Sequence, residues 1–236
     1  LRAGIAMSTL LLINPNTSTS VTELLASHAA ALAPSGATLR AATAPFGAPY
    51  IATESAAAVA ADAVAAVWAE QVAAHGRPDA VLVACFGDPG VAALRALAGV
   101  PVLGLAEVSM RHAAATGRFA IVTGGAAWGP MLERLAASLG LDRELAGVVT
   151  VERTGAELLA DPPAAQALLL AACRQALALG DVKAIVIGGA ALADLAAPLA
   201  PELPVPLIDN VRIGLVAAWH AACERFQTPV TETPCR

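Results

Sequence analysis

Residues 80–90 read AVLVACFGDPG. Ala80 to Ala84 form a short, unbroken apolar run with no polar alternation. Bounded by turn signals, such a run reads as a strand covered on both faces. Gly87, Pro89 and Gly90 then turn the chain, and the residues from Pro89 to Leu97 carry the pattern of a helix. Cys85 falls where the strand ends. The same grammar recurs on both sides: LLINPNTS at 11–18, FAIVTGG at 119–125 and AIVIGGA at 184–190 are each an apolar run that stops in a small polar or glycine-containing loop. Strands alternating with helices through short connections predict parallel sheets flanked by helices, an α/β fold.

Strands are predicted at Thr9–Ile13, Thr38–Ala42, Ala80–Ala84, Val102–Leu105, Arg118–Val122, Gly147–Val151, Ala184–Ile187 and Val205–Ile208. The clearest helices are Ser18–Ala33, Glu54–Ala74, Pro89–Leu97, Pro130–Leu139, Pro163–Leu179 and Val211–Phe226. The Asn14 loop and the Cys85 loop of the first half have counterparts at Thr123 and Gly189 in the second, at comparable spacing. This internal duplication predicts two pseudo-symmetric lobes, each a mostly parallel four-stranded sheet flanked by helices. Their strands' C-terminal ends would meet in a cleft, where open α/β sheets bind ligands. The expected division is 8–108 plus 209–228 for the first lobe and 109–208 for the second, with tails at 1–7 and 229–236. Met7 is the expected natural start.

Composition narrows the function classes. Of the 236 residues 57% are hydrophobic and 14% charged, which is the make-up of a packed globule rather than a disordered chain. The net charge is −5 and no lysine/arginine cluster occurs, so nucleic acid and anionic membrane are not expected partners. Apolar stretches are broken by Gly, Pro or Asp before they reach the length of a membrane span. Cys85, Cys173, Cys223 and Cys235 show no paired spacing, and His28, His75, His112 and His220 none either, so no metal is expected. Reduced thiols and a cytoplasmic location follow as expectations.

Several residues carry chemistry. Asn14, Asn16 and Thr17 lie in a loop that Thr17 or Ser18 can end as a helix cap, with first-turn N–H groups aimed at a small carboxylate or imide; a plain cap that binds nothing is the other reading. Cys85, at a strand end beside a helix N-terminus, stands where a thiolate can be stabilised and would alkylate faster than a free thiol. Phe86 and Gly87 flank it, and Asp88 either caps the following helix or assists proton transfer. Thr123 and Gly124 add donors from the other half. Gly189 and Ala190 form a turn whose backbone can approach a ligand closely. Glu107 and Ser109 either edge the cleft or cap a helix. Tyr50, Phe86 and Trp128 are candidate walls. Cys173 and Cys223 read as core filler.

Together, LLINPNTS, ACFGDPG, GLAEVSMRHAA, FAIVTGG and PLIDNVRIGL resemble the hydantoin and allantoin racemase branch of the aspartate/glutamate racemase superfamily, from Ser8 to about Phe226. The resemblance implies two α/β lobes around a small-molecule substrate (a carboxylate, hydantoin or amino-acid derivative), no cofactor, and a homo-oligomer. It also implies one cysteine from each lobe flanking the stereocentre, one thiolate removing the α-proton and the other thiol returning it to the opposite face. Cys85 matches the first-lobe cysteine, and Asn14, Thr17 and Thr123 match substrate-holding positions. The second-lobe motif of such racemases reads Gly-Cys-Ala-Gly. Here it reads Gly188-Gly189-Ala190-Ala191, so Gly189 stands where the second thiol would be.

Three functions are therefore carried forward. The first is a cofactor-independent racemase with Cys85 as acid/base and water, Asp88 or another group on the second face. The second is a one-thiol decarboxylase of malonate-type substrates, similar to the arylmalonate decarboxylase branch but with the thiol in the other lobe. The third is a non-catalytic small-molecule binder.

Overall fold

The computed structural model describes residues 8–153 and 155–224. Among the described residues, eight strands form two four-stranded sheets, each wholly parallel. The first contains β1 (Thr9–Asn14), β2 (Thr38–Thr43), β3 (Ala80–Val83) and β4 (Val102–Gly104) in the order β2-β1-β3-β4. The second contains β5 (Phe119–Gly124), β6 (Leu145–Val151), β7 (Ala184–Gly188) and β8 (Leu207–Asp209) in the order β6-β5-β7-β8. The two orders are the same, so the duplication read from the sequence is a duplication of topology.

The helices are α1 (Thr19–Ala31), α2 (Glu54–His75), α3 (Val91–Ala98), α4 (Leu105–Ala114), α5 (Trp128–Ser138), α6 (Gly155–Ala160), α7 (Pro162–Leu177) and α8 (Asn210–Glu224). Two 3-10 segments, Ala190–Leu195 and Ala197–Glu202, link β7 to β8. Leu105, predicted to end a strand, is instead the first residue of α4. Phe226, the predicted end of the last helix, and Cys235 lie outside the described residues.

Strand residues alternate between two cores because successive side chains leave opposite faces of a sheet. Leu10, Leu12 and Leu82 of the first sheet share one cluster with Phe119, Ile121 and Val186 of the second. This common core holds the lobes together. Leu11, Ile13, Val81 and Val83 face the other way, under Val64, Val67 and Trp68 of α2. Ala120, Val122, Ile185 and Ile187 do the same in the second lobe, under Leu169 and Cys173 of α7. Among the described residues, α2 is the one helix long and apolar enough to cross a membrane; its Val64, Val67 and Trp68 are buried against the first sheet, and Asp62 and Glu70 are exposed.

The last helix returns to the start of the chain. α8 packs on α4, β3 and α1, and the indole N–H of Trp219 donates to the carbonyl of Ala29 at 2.9 Å.

Candidate active site

The ends of β1, β3, β5 and β7 converge on one cavity of about 190 Å³. Asn16 reaches it from the loop after β1, and Cys85 and Phe86 from the loop after β3. Thr123 and Gly124 close β5, and Gly188, Gly189 and Ala190 follow from β7. Parallel strands bring their C-terminal loops to one side of a sheet, which is why residues so far apart in sequence meet here.

The strand registers fix which residues of the two lobes are equivalent. Leu10 of β1 pairs with Ala80 of β3, and Phe119 of β5 pairs with Ala184 of β7. Counting equally from these pairs, Asn14 corresponds to Thr123, Ala84 to Gly188 and Cys85 to Gly189. Gly189 therefore occupies the second-lobe counterpart of the thiol position. Its backbone has φ 130°, a conformation side-chain-bearing residues rarely adopt. A Cβ there would lie 3.3 Å from Leu192 Cγ and 4.0 Å from Thr123 Oγ1. At Gly188 the Phe86 ring occupies the space of a Cβ, so the first lobe's aromatic ring seals against bare second-lobe backbone.

Cys85 is 9% exposed, its residue on the cavity wall. Burial pushes its thiol up to about 12, and the neighbouring Asp88 charge pushes the same way. The expectation of a stabilised thiolate is corrected. The helix that follows starts only at Val91, and its weak terminal dipole does not offset desolvation and a nearby carboxylate. Both causes favour the protonated thiol at neutral pH.

Asp88 does not cap α3. The N-cap of α3 is Gly90, with no side-chain hydrogen bond. Asp88 instead reaches across to α4, accepting the backbone N–H of Ala106 at 2.9 Å and of Glu107 at 2.7 Å. Burial pushes its carboxyl up to about 7, despite those two donors. Its carboxylate fills the space that a Cβ on Gly104 would need, so the glycine before α4 exists to admit it. Glu107 is not part of the cavity wall. Its carboxylate is held by Arg95 at 3.0 Å and Arg111 at 2.9 Å. Burial disfavours its charge, but the two guanidinium groups more than offset that and hold it below the usual carboxylate range. The Ser109 hydroxyl, fully buried, donates to Leu105 O at 2.6 Å within α4.

The first loop is built differently from its sequence reading. Asn14 is fully buried. Its Nδ2 donates to Asn16 Oδ1, Ser18 O and Thr22 Oγ1, each at 3.0 Å. The N–H groups of Asn16, Thr17 and Ser18 donate to Asn14 Oδ1, Ala48 O and Asn16 Oδ1. These three donors, all ahead of α1, are spent on Asn14, Asn16 and Ala48. Ser18 does cap α1, its hydroxyl accepting Val21 N–H. Asn14 and Thr17 shape the loop, and Asn16, Ser18 and Ser20 present the polar wall.

On the opposite side, Thr123 Oγ1 donates to Gly188 O at 2.7 Å, tying β5 to β7 at the cavity edge. Asn210 Nδ2 donates to Ile187 O and Gly189 O, holding the same turn from below. Gly87 is not in the wall; the space of its missing Cβ is filled by the Trp128 indole. Tyr50, Phe86 and Trp128 all line the cavity, as their aromatic character predicted. Sequence reasoning missed Val21, Ile51 and Leu192, which complete the apolar wall. Val21 follows the helix start and Ile51 follows Tyr50, and no local signal marks either as a site residue. Cys173 is fully buried in α7 and Cys223 half-buried in α8.

The sequence profile of the Asp/Glu/Hydantoin racemase family matches residues 10–218. The chain belongs to that family. It is 30% identical over 220 residues to a hydantoin racemase of Paenarthrobacter aurescens, covering 93% of each chain. A hydantoin racemase of a Pseudomonas species is 35% identical over 138 residues, a stretch that spans 58% of this chain and 55% of that one. Among solved structures, allantoin racemase from Klebsiella pneumoniae superposes with a TM-score of 0.81 at 32% identity, covering 89% of this chain and 86% of that one. Arylmalonate decarboxylase shares the fold, with a TM-score of 0.61 at 18% identity and 97% and 95% coverage. In this chain's cavity the residue at the register equivalent of Cys85 in the other lobe is a glycine, Gly189.

Proposed function

We propose that this racemase-family enzyme moves a proton at the α-carbon of a small, neutral, cyclic ureide of the hydantoin type, without a cofactor, using Cys85 as acid/base. The observation that carries this reading is the make-up of the cavity: one thiol, several hydroxyls, one side-chain amide, three aromatic rings, and, among the described residues, no charged side chain in the wall. A wall without lysine or arginine suits a neutral ring better than a free carboxylate, which would be desolvated without a counter-charge. The names of the Paenarthrobacter and Pseudomonas relatives support the same substrate class.

In such a ring the hydrogen on the stereocentre is acidified by the adjacent carbonyl. Taking it as a proton leaves an enolate whose oxygen needs hydrogen-bond donors. Ala190 and Ala191 open a 3-10 turn at the cavity, and the first N–H groups of such a turn have no acceptor within it. With the Ser18 hydroxyl they form the polar side of the site. Phe86, Trp128 and Leu192 keep water from the carbanion and receive the ring's substituent. The test is to incubate each enantiomer of 5-isopropylhydantoin with the protein and follow its optical purity. Loss of optical purity that disappears in Cys85→Ala supports the reading. Turnover retained in Cys85→Ala removes the thiol from the mechanism.

A second reading rests on the raised Cys85 pKa and on Gly189. A thiol held protonated and unpaired suits one-sided protonation. Loss of carbon dioxide from a malonate-type substrate leaves the electron pair in an enediolate, and Cys85 S–H supplies the proton that completes the product. Release of carbon dioxide from phenylmalonate, with an optically pure product from a prochiral analogue, would establish this reaction in place of the first.

A further inference from the structure

We propose that Tyr50 is the second proton-transfer group of this site, serving the face of the substrate turned away from Cys85. The proposal rests on the reading of Cys85 as an acid/base acting at an α-carbon.

A planar carbanion needs a proton source on each face if its configuration is to invert, and each source must come within hydrogen-bonding reach. Gly189 provides no side chain. Among the described residues that line the cavity, only Cys85 and Tyr50 carry a side-chain proton that titrates. Asp88 and Glu107 are committed to the start of α4 and to Arg95 and Arg111.

The position of the phenol fits the missing role. Tyr50 belongs to the first lobe, in the connection between β2 and α2, but its hydroxyl crosses to the second. It donates to Gly124 O at 3.4 Å, and it lies 2.9 Å from where a Cβ on Gly125 would be. Gly124 directly follows Thr123, whose Oγ1 is 4.0 Å from the Cβ position of Gly189. The phenol thus reaches the end of β5, in the lobe whose Gly189 lacks a side chain, and lines the same cavity as Gly189. At 3.4 Å the bond to Gly124 is long, which leaves the hydroxyl free to turn toward a substrate. Burial raises the Tyr50 phenol above its ordinary value, the Trp128 indole opposes this by hydrogen bonding, and the Cys85 charge adds to the rise. The last effect means that the two groups sense each other's protonation across the cavity.

The proton inventory closes. For the enantiomer whose α-hydrogen faces the thiol, the Cys85 thiolate takes that hydrogen as a proton and the C–H electron pair moves into the enolate. The phenol of Tyr50 then gives its proton to the opposite face, forming the new C–H bond and leaving a phenolate. Exchange with water returns both groups to their starting states. The other enantiomer runs the same steps in reverse, with phenolate as base and thiol as acid.

The experiment uses both enantiomers of 5-isopropylhydantoin in heavy water, following deuterium at the α-carbon and chirality separately. The unaltered protein should invert both enantiomers. In Tyr50→Phe, inversion should fall at least about 100-fold, the lower end of what one positioned acid or base contributes. The enantiomer facing Cys85 should still take up deuterium with retention, within about threefold of the parent rate, and the other should do neither. Inversion by Tyr50→Phe at the parent rate overturns the proposal, as does an equal loss of exchange and inversion in both enantiomers, which is the signature of a mere wall. Failure of the unaltered protein to exchange or invert either enantiomer overturns the Cys85 reading itself, and this proposal with it. A second measurement avoids mutation. Tyr50 is the one tyrosine of the sequence, so biosynthetic 3-fluorotyrosine alters this phenol alone. Its lower pKa should shift the pH profile of inversion toward acid and leave that of retention-exchange in place. An unmoved inversion profile overturns the proposal.

Discussion

The carboxylate of Asp88 and the backbone N–H of Glu107 meet at 2.7 Å, across 19 residues of sequence. With Ala106 N–H on the other oxygen, Asp88 closes the start of α4 and fixes the Cys85 loop against it. Folding carries this carboxyl from 3.8 to about 7. Between those values the native state holds a proton that the unfolded chain has released. Stability from this group therefore falls as pH rises through that window, by at most about 1.4 kcal/mol per pH unit. Urea unfolding at intervals from pH 4 to 7.5 should show the slope, and Asp88→Asn should lack it. An identical slope in the variant assigns the effect to other groups.

Catalysis should respond to pH in a way that separates the two reactions. Below the thiol's value of about 12, the thiolate fraction grows about tenfold per pH unit. If Cys85 acts as a base, initial rates of hydantoin inversion rise with pH, more gently near pH 7, where the newly charged Asp88 raises the thiol further. If Cys85 acts only as a proton donor to a decarboxylated intermediate, the rate is flat over the same range. Initial rates from pH 6.5 to 8.5 distinguish them.

Alkylation gives an independent check on the thiol. Because burial and Asp88 both hold Cys85 protonated, iodoacetamide should modify it more slowly at pH 7.5 than it modifies free cysteine. Asp88→Asn removes one of the two causes and should speed the reaction. Mass spectrometry of the Cys85 peptide measures both rates.

Gly87 and Trp128 make a packing pair beside the cavity, the indole filling the place of the absent Cβ. Gly87→Ala should displace the ring and cost about 1–3 kcal/mol, the range for overpacking a core. Thermal melting would record the loss, and Trp fluorescence the displacement. Unchanged values for both would mean that the loop gives way instead.

At Gly189, restoring a cysteine should not simply restore a second thiol. The positive φ and the contact with Leu192 penalise any Cβ. Gly189→Cys and Gly189→Ala should therefore destabilise equally, by about 1–3 kcal/mol, as read from chemical denaturation. A cysteine variant as stable as its parent would show that the turn can be rebuilt.

The parts of the fold that were legible in sequence are those whose signal is local. β1, β3, β5 and β7 are continuous apolar runs, covered on both faces, and their ends mark the site. α4 was not singled out as a clear helix because its cap is not local: Gly104 precedes it, and the capping carboxylate comes from Asp88, 18 residues away from Ala106. The same limit applies to the cavity. Cys85, Phe86, Thr123 and Gly189 stand at strand ends, where position alone makes them candidates. Only the folded loop reveals that Asn14 and Asn16 take up the N–H groups of Asn16 and Ser18 ahead of α1. Tyr50 could be named as a possible wall, but not as a group that crosses to Gly124, because that contact joins two lobes.

The return of α8 to the first lobe also bears on biosynthesis. α1, β1 and β3 leave the ribosome well before α8, yet their cover, including the Trp219 contact to Ala29, lies on α8, the last of the described helices. Vectorial synthesis usually lets N-terminal units fold first. Here the early strands must wait: residues 210–224 have to be made before the apolar face over α1, β1 and β3 is closed.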